Sequence, residues 1–193
     1  MDCVLIGVSD KSLLWRFGKL KEKEYSFFVK DYAKFLALHF DNVIVTPDEG
    51  VYSEIALEFG KLKGKKPIAF YPDNDKIYGI KHIEKNFPKF DLRPIEGDWY
   101  KLNAELTKKA LCVISIGFSP GVLIEEAYIK YHQSFGSKLN PKLKNIHLFI
   151  DERCIDARLP KSFEEQISNV FYFNSLLELE KLLTKRKKFI SNF

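Results

Sequence analysis

The sequence predicts an α/β protein built as one doubly wound domain around a mainly parallel sheet of about seven strands. Seven apolar runs of strand length recur along the 193 residues, and helical stretches separate them. The runs are continuous rather than alternating, which indicates strands that are covered on both faces, as in a parallel sheet. With 46% apolar residues, a chain of this length can bury one sizeable core and is short for two.

The apolar runs place the strands, and the stretches between them place the helices. The predicted strands are residues 3–8, 42–46, 66–71, 92–95, 112–117, 145–150 and 169–173. After the first strand, apolar residues at three- and four-residue spacing indicate an amphipathic helix. The predicted helices are residues 25–36, 51–62, 99–109, 120–131 and 175–183. Strand and helix alternating in this order predict a Rossmann-like domain.

Composition and charge limit the classes of partner. Residues 1–193 are expected to form one domain with a basic tail at residues 184–193. The 31 basic and 26 acidic residues give a net charge of +5, which indicates a surface of mixed charge. We do not expect such a surface to bind nucleic acid. The basic run at residues 185–188 nevertheless leaves nucleic-acid binding as a third functional alternative, after the two described below. No apolar run approaches the roughly 18–20 residues of a membrane helix, and the N-terminus lacks a signal-peptide pattern, so a cytoplasmic protein without a membrane partner is expected.

The turns after the first two strands are candidate ligand-binding turns, because open α/β sheets bind ligands at the carboxyl ends of their strands. The candidate residues in these turns are Gly7, Ser9, Asp10, Thr46 and Gly50. The acids Asp48 and Glu49 would oppose a phosphate there. We interpret them as helix-start residues or as acceptors for ribose hydroxyls.

The segment after the fourth strand begins a helix at Trp99, for which Asp98 is a credible N-cap. Lys101 and Asn103 lie in the first turns of this helix. They face either a ligand or solvent, and spacing alone leaves both alternatives open.

The turn after the fifth strand is the most informative part of the sequence. Gly117 opens it, Ser119 is a good N-cap, Pro120 suits the first helical position, and Gly121 permits close approach to the backbone, so the helix start is a competent phosphate site.

Two acids, Glu125 and Glu126, follow one to two turns into that helix. Adjacent residues cannot both face one small ligand, so at most one of them faces a pocket. A carboxylate beside a sugar can accept ribose hydroxyls or stabilise an oxocarbenium-like transition state. Alternatively, acids near the positive end of a helix need no ligand.

The order of these motifs resembles the LOG family of cytokinin-activating phosphoribohydrolases, formerly called lysine-decarboxylase-like, and the wider SLOG superfamily of Rossmann-like nucleotide-binding proteins. The family hallmark PGGxGTxxE falls on residues 117–125, which retain its third glycine at Gly121 and its glutamate at Glu125. The family's glycine-rich loop falls on residues 46–50, which keep one glycine. Its catalytic arginine falls on Leu102, and Asn103 matches an asparagine of a related branch.

The resemblance implies a protein that binds a nucleotide or nucleotide-derived ligand at the carboxyl edge of the sheet, forms a homodimer, and uses neither a cofactor nor a metal. A non-catalytic binding protein is favoured because Leu102 replaces the arginine. The alternative is hydrolysis of the N-glycosidic bond of a nucleoside 5′-monophosphate. In that enzyme Glu125 would stabilise positive charge on the sugar, and Lys101 or Arg93 would supply the cation.

Overall fold

The sheet has seven strands, and every pairing in it is parallel. The structure, a computed structural model, describes the backbone of residues 1–190 and the side chains of residues 1–186. The strands are β1 (Asp2–Gly7), β2 (Asn42–Val45), β3 (Ile68–Pro72), β4 (Asp91–Ile95), β5 (Cys112–Ile116), β6 (His147–Asp151) and β7 (Val170–Phe173). Their order is β4-β3-β2-β1-β5-β6-β7. The predicted fold class, a single-domain Rossmann-like sheet of about seven strands, is confirmed.

Helices cover both faces of this sheet. They are α1 (Leu13–Arg16), α2 (Tyr25–His39), α3 (Val51–Lys63), α4 (Lys81–Glu84), α5 (Trp99–Leu106), α6 (Pro120–Ser134), α7 (Lys161–Glu164) and α8 (Leu176–Ile190). Helix α2 packs against α3, and α5 packs against α6. The chain winds outward from β1 to β4 and then returns to β5. Because connections between parallel strands are right-handed, this order puts the first pair of helices on one face and the second pair on the other.

The core lies at the central strands. All five residues of β5 and all five of β6 are buried, as are five of the six in β1. In the edge strand β4, Ile95 alone is buried. The central strands are therefore covered on both faces, which explains their continuous apolar sequence.

Some helix boundaries differ from the predicted ones. Helix α5 ends at Leu106 rather than residue 109, because the Lys109 N–H bonds to the Leu106 carbonyl (3.0 Å) in a turn that leads into β5. Helix α6 runs three residues further than predicted, to Ser134. The four-residue helices α1, α4 and α7 were not predicted, since pieces this short have no periodicity.

The predicted basic tail begins within a helix. Helix α8 continues through residues 184–190. Residues 191–193 and the side chains of Lys187 and Lys188 lie outside the described residues. Within the described part of the chain, no helix combines the length and the apolar character that crossing a membrane requires.

Candidate functional site

A cavity of about 160 Å³ lies at the carboxyl edge of the sheet, where β1 stands between β2 and β5. The chain leaves β1 toward β2 on one side and leaves β5 toward β6 on the other. In a doubly wound sheet a crevice opens at the point where two neighbouring strands send their connections in opposite directions. We call it the inner cavity. Seven residues that the sequence predicts as site residues line it: Gly7, Ser9, Thr46, Asn103, Ser119, Gly121 and Glu125.

A second cavity of about 500 Å³ adjoins the inner one and is called the outer cleft. The two share Ser9 and Asp48 in their linings. Among the predicted residues, Asp10 and Gly50 line the outer cleft. A cavity of about 150 Å³ holds one benzene ring, so the inner cavity suits a single ring, and a larger ligand would extend into the cleft.

Three predicted residues lie outside both linings. Gly117 has φ +80°, a left-handed conformation that suits glycine, and forms the turn after β5. Pro120 lines a separate cavity of about 330 Å³ on the other side of this turn. Lys101 is exposed, and its methylene groups lie over Gly97. The structure therefore brings most of the predicted turns together but leaves Lys101 on the outer side of α5.

The loops after β1 and β2 are bound to each other. The Val51 N–H donates to the Val8 carbonyl at 3.1 Å. This close approach requires glycine at position 50, because a Cβ there would stand 3.0 Å from the Val8 oxygen and 3.1 Å from Cα of Ser9. Tyr52 is buried in the lining of the inner cavity, and burial raises the pKa of its phenol, so the phenol stays protonated.

The first turn of α6 offers a limited number of backbone donors. Oγ of Ser119 accepts from the Val122 N–H at 3.4 Å, and the Ser119 carbonyl accepts from the Leu123 N–H at 3.0 Å. Pro120 has no N–H. The Gly121 amide is therefore the donor that this turn can offer to a ligand in the inner cavity.

Helix α5 forms the opposite wall, and its phase is set by a cap. Oδ1 of Asp98 accepts from the Lys101 N–H at 2.9 Å and starts the helix. In this phase Leu102, at the position of the family's arginine, is fully buried in the core. Asn103 faces the inner cavity instead.

Two aromatic residues in the lining were not among the predicted site residues, namely Tyr52 and Trp99. The Trp99 indole N–H donates to the Gly79 carbonyl at 3.2 Å, and its ring lies 5.4 Å from that of His82. The sequence signal for both was their position in the first turn of a helix that follows a strand. Asp48 also lines both cavities, although the sequence suggested for it only a helix-start or ribose role.

The two adjacent glutamates of α6 face different surroundings. Glu125 is half-buried against the inner cavity, and desolvation raises its pKa to about 8, with the charge of Glu126 adding to the shift. Glu126 is fully buried beneath the helix, and desolvation also raises its pKa to about 8. The nearby Ser115 hydroxyl offsets only part of that shift, and neither Glu126 oxygen has a hydrogen-bond partner among the described residues. Both carboxyls are therefore mainly protonated at pH 7.

The inner cavity has a weakly charged lining. Its lining residues, all within the described chain, include no lysine, arginine or histidine. The histidine, cysteine, aspartate and glutamate side chains of residues 1–186 form no group of three or more that could hold a metal ion. The site therefore has the chemistry of hydroxyl, amide and carboxyl groups between aromatic walls.

Comparison with known proteins identifies relatives in structure but none in sequence. No protein-family model and no curated protein matches the chain. The molybdenum cofactor carrier protein of Chlamydomonas reinhardtii superposes with a TM-score of 0.62 and 12% identity over 97% of this chain and 98% of that one. TM1055, a structural genomics target, gives 0.61 and 14% over 95% and 98%. The molybdenum cofactor binding protein of Rippkaea orientalis gives 0.59 and 12% over 95% of each chain.

At these identities the likeness concerns the fold. The predicted resemblance is confirmed at that level, because the matches extend over nearly the whole of both chains. The protein therefore shares the Rossmann-like α/β fold of these structural neighbours.

Proposed function

We propose that this protein binds a nucleotide or nucleotide-derived ligand at the carboxyl edge of its sheet and releases it unchanged. The observation that carries the proposal is the inner cavity, which lies at the β1–β5 switch point and is lined by seven predicted site residues. Ser9, Thr46 and Asn103 would hydrogen-bond the ligand, and the Gly121 amide would meet a phosphate or hydroxyl at the rim. Two structural neighbours named for binding or carrying the molybdenum cofactor support a binding role of this kind.

The lining favours binding over cleavage. Stabilising positive charge on a sugar requires an ionised carboxylate, whereas the pKa of Glu125 is raised to about 8. Leu102 is buried at the position where the phosphoribohydrolases of the LOG family carry an arginine. The inner cavity has no lysine, arginine or histidine among its lining residues that could replace it. Two elements of the hydrolytic mechanism are therefore missing at neutral pH.

The alternative is a phosphoribohydrolase, and one observation favours it. A carboxylic acid with a pKa near 8 can donate a proton to a departing base, as general acids with raised pKa values do in glycoside hydrolysis. In this enzyme Lys101 would act from outside the cavity lining as the predicted catalytic cation. A lysine acts as a point charge and does not reproduce a bidentate guanidinium.

One experiment separates the two functions. Purified protein is titrated calorimetrically with the common nucleosides and their 5′-monophosphates, and equimolar mixtures are then incubated and chromatographed. We expect saturable binding and an intact ligand. Release of free base that is lost in Glu125→Gln would establish the hydrolase instead, and no binding by any compound would refute the proposal.

We also propose that the protein is a homodimer that pairs through α6. Ile124 and Tyr131 are exposed on this helix, Phe135 is exposed at its C-cap, and Tyr128 is half-buried between them. Their spacing of four, three and four residues forms a continuous apolar seam along one face, which is the pattern that pairs helices.

Light scattering tests this pairing. We expect a dimer for the wild type and a monomer for Tyr131→Glu combined with Phe135→Glu. Leu38→Glu, at an apolar residue of α2 that is 82% exposed, is the matched control and should remain dimeric. A monomeric wild type at micromolar concentration would refute the proposal.

A further inference from the structure

The inner cavity and the outer cleft are unusually acidic for a basic protein. Although the chain carries a net charge of +5, the two linings contain five acidic and two basic side chains. The acids are Asp10, Asp48, Glu49, Glu54 and Glu125, and the bases are Lys11 and Lys89. Even without Glu125, which is mainly protonated at pH 7, the acids outnumber the bases four to two, so the local field at the site is opposite in sign to the charge of the whole protein.

The two lysines of the outer cleft already have partners. Nζ of Lys11 lies 3.4 Å from Glu54 and 5.0 Å from the centroid of the Tyr25 ring. Nζ of Lys89 donates to Oδ1 of Asn86 at 2.9 Å. An incoming phosphate would have to compete for both.

Two acids of the outer cleft, Asp10 and Glu49, have lowered pKa values. Asp10 accepts from the Ser12 backbone N–H at 2.9 Å, and hydrogen bonding with Ser12 lowers its pKa. Lys85 lies 2.5 Å from Glu49 and lowers the pKa of that carboxyl. Even when Lys85 is counted with Lys11 and Lys89, the acids outnumber the bases.

The neutral groups of the inner cavity suit an uncharged ring. The Trp99 indole is held in place by its bond to Gly79, so it presents an aromatic wall on which a heterocycle can stack. Thr46 and Asn103 offer hydroxyl and amide groups to sugar hydroxyls or ring amines. For an anion, the α6 start adds one amide donor, that of Gly121.

We propose that this site selects the unphosphorylated ligand, a nucleoside or comparable heterocycle, over its phosphate esters. Asp48, which lines both cavities, is the residue that sets the selectivity, since a phosphate on a ligand seated in the inner cavity must pass or face it. This inference rests on the proposed binding function and narrows its ligand class. It predicts that selectivity arises from repulsion at Asp48 rather than from a shortage of space, because the outer cleft has room for a phosphate.

Calorimetric titration of adenosine, AMP and ATP at low ionic strength tests the proposal. The same series is run with the other common bases if adenosine is not the preferred nucleoside. We expect each added phosphate to weaken binding, with at least about a tenfold preference for the nucleoside over its monophosphate, which corresponds to about 1.4 kcal/mol. Added salt should reduce the preference, because screening weakens exposed charge repulsion.

Two variants locate the effect. Asp48→Asn should raise the affinity for the monophosphate relative to the affinity for the nucleoside by about three- to tenfold. Asp31→Asn removes the same charge from the exposed face of α2, where Asp31 pairs with Lys34 at 3.6 Å, and should change neither. Matching melting curves would show that both variants fold.

The outcomes also separate this inference from the proposed function. If the monophosphate binds as tightly as the nucleoside or more tightly, or if the two variants behave alike, the selectivity is refuted while ligand binding stands. If no nucleoside and no nucleotide binds, both proposals are refuted.

Discussion

Buried carboxyl groups occur in two regions near the carboxyl edge of the sheet, and their surroundings are opposite. Asp151, at the end of β6, is fully buried and accepts four hydrogen bonds: one from the Tyr32 hydroxyl at 2.8 Å and three from Arg153 at 2.7–3.0 Å. Glu126, in α6, is equally buried, and its oxygens have no hydrogen-bond partner among the described residues.

The difference distinguishes a region that holds the fold together from the region that we propose binds the ligand. Arg153 also packs its guanidinium over Phe28 and Tyr32, and its carbonyl accepts from the Lys19 N–H at 2.7 Å. The Asp151 network therefore holds α2 and the loop after α1 to the sheet. An unpaired buried carboxyl contributes nothing of this kind, and such groups accumulate where a site needs a perturbed pKa.

Breaking the Asp151 network should have the largest effect on the free energy of unfolding. Asp151→Ala leaves the partly buried Arg153 without its partner, and we expect a loss of about 3–5 kcal/mol in the free energy of unfolding. Urea denaturation measures this loss. Asp31→Ala, at an exposed ion pair, should cost less than about 1 kcal/mol. If the two variants were equally stable, Asp151 would not be a structural anchor.

Removing the unpaired Glu126 carboxyl should stabilise the protein at high pH, whereas removing Asp151 should destabilise it. Because the folded-state pKa of Glu126 is about 8 and its ordinary value is 4.5, the folded state binds the proton more tightly. Its contribution to stability is fully present below about pH 4.5 and is lost as the pH rises through 8.

Glu126→Gln removes this titration. We expect the variant to lose less stability than the wild type between pH 5 and 8.5, and to exceed it by about 1–3 kcal/mol at the upper end. Urea denaturation at several pH values measures the two slopes. Identical slopes would mean that Glu126 does not titrate in this range.

The sequence predicted the fold because the signals for it are local. Continuous apolar runs identify buried parallel strands, and the carboxyl ends of parallel strands meet at one edge. The turns containing Gly7, Thr46 and Ser119 can therefore be assigned to one site from the order of the strands alone. Seven of the predicted residues do line one cavity.

The remaining features depend on helix phase and on distant pairings. The Asp98 cap sets the phase of α5, which buries Leu102 and turns Asn103 rather than Lys101 toward the cavity. Likewise, the bond between Tyr32 and Asp151 joins residues 119 positions apart, and no local pattern predicts it. The sequence could state only that at most one of the two glutamates faces a ligand.

Substituting Glu125 gives the sharpest comparison, because it should change stability less than substituting Asp151 or Glu126. Glu125 is half-buried, so solvent screens part of its charge, and we expect Glu125→Gln to change the free energy of unfolding by less than Glu126→Gln does. Ligand binding should respond instead. In the wild type, nucleoside affinity should change as Glu125 ionises around pH 8, because a hydroxyl donor in the cavity becomes a charged acceptor.

Calorimetric titrations at pH 6.5, 7.5 and 9 measure that response. Glu125→Gln should bind with an affinity that no longer depends on pH in this range, whereas Glu126→Gln should retain the pH dependence of binding and lose the larger share of the pH dependence of stability. This pairing makes each variant the control for the other, since the two residues are adjacent and the substitutions are identical. If both variants altered binding and stability alike, the two carboxyls would act as one coupled group, and the assignment of Glu125 to the ligand and Glu126 to the interior would be wrong.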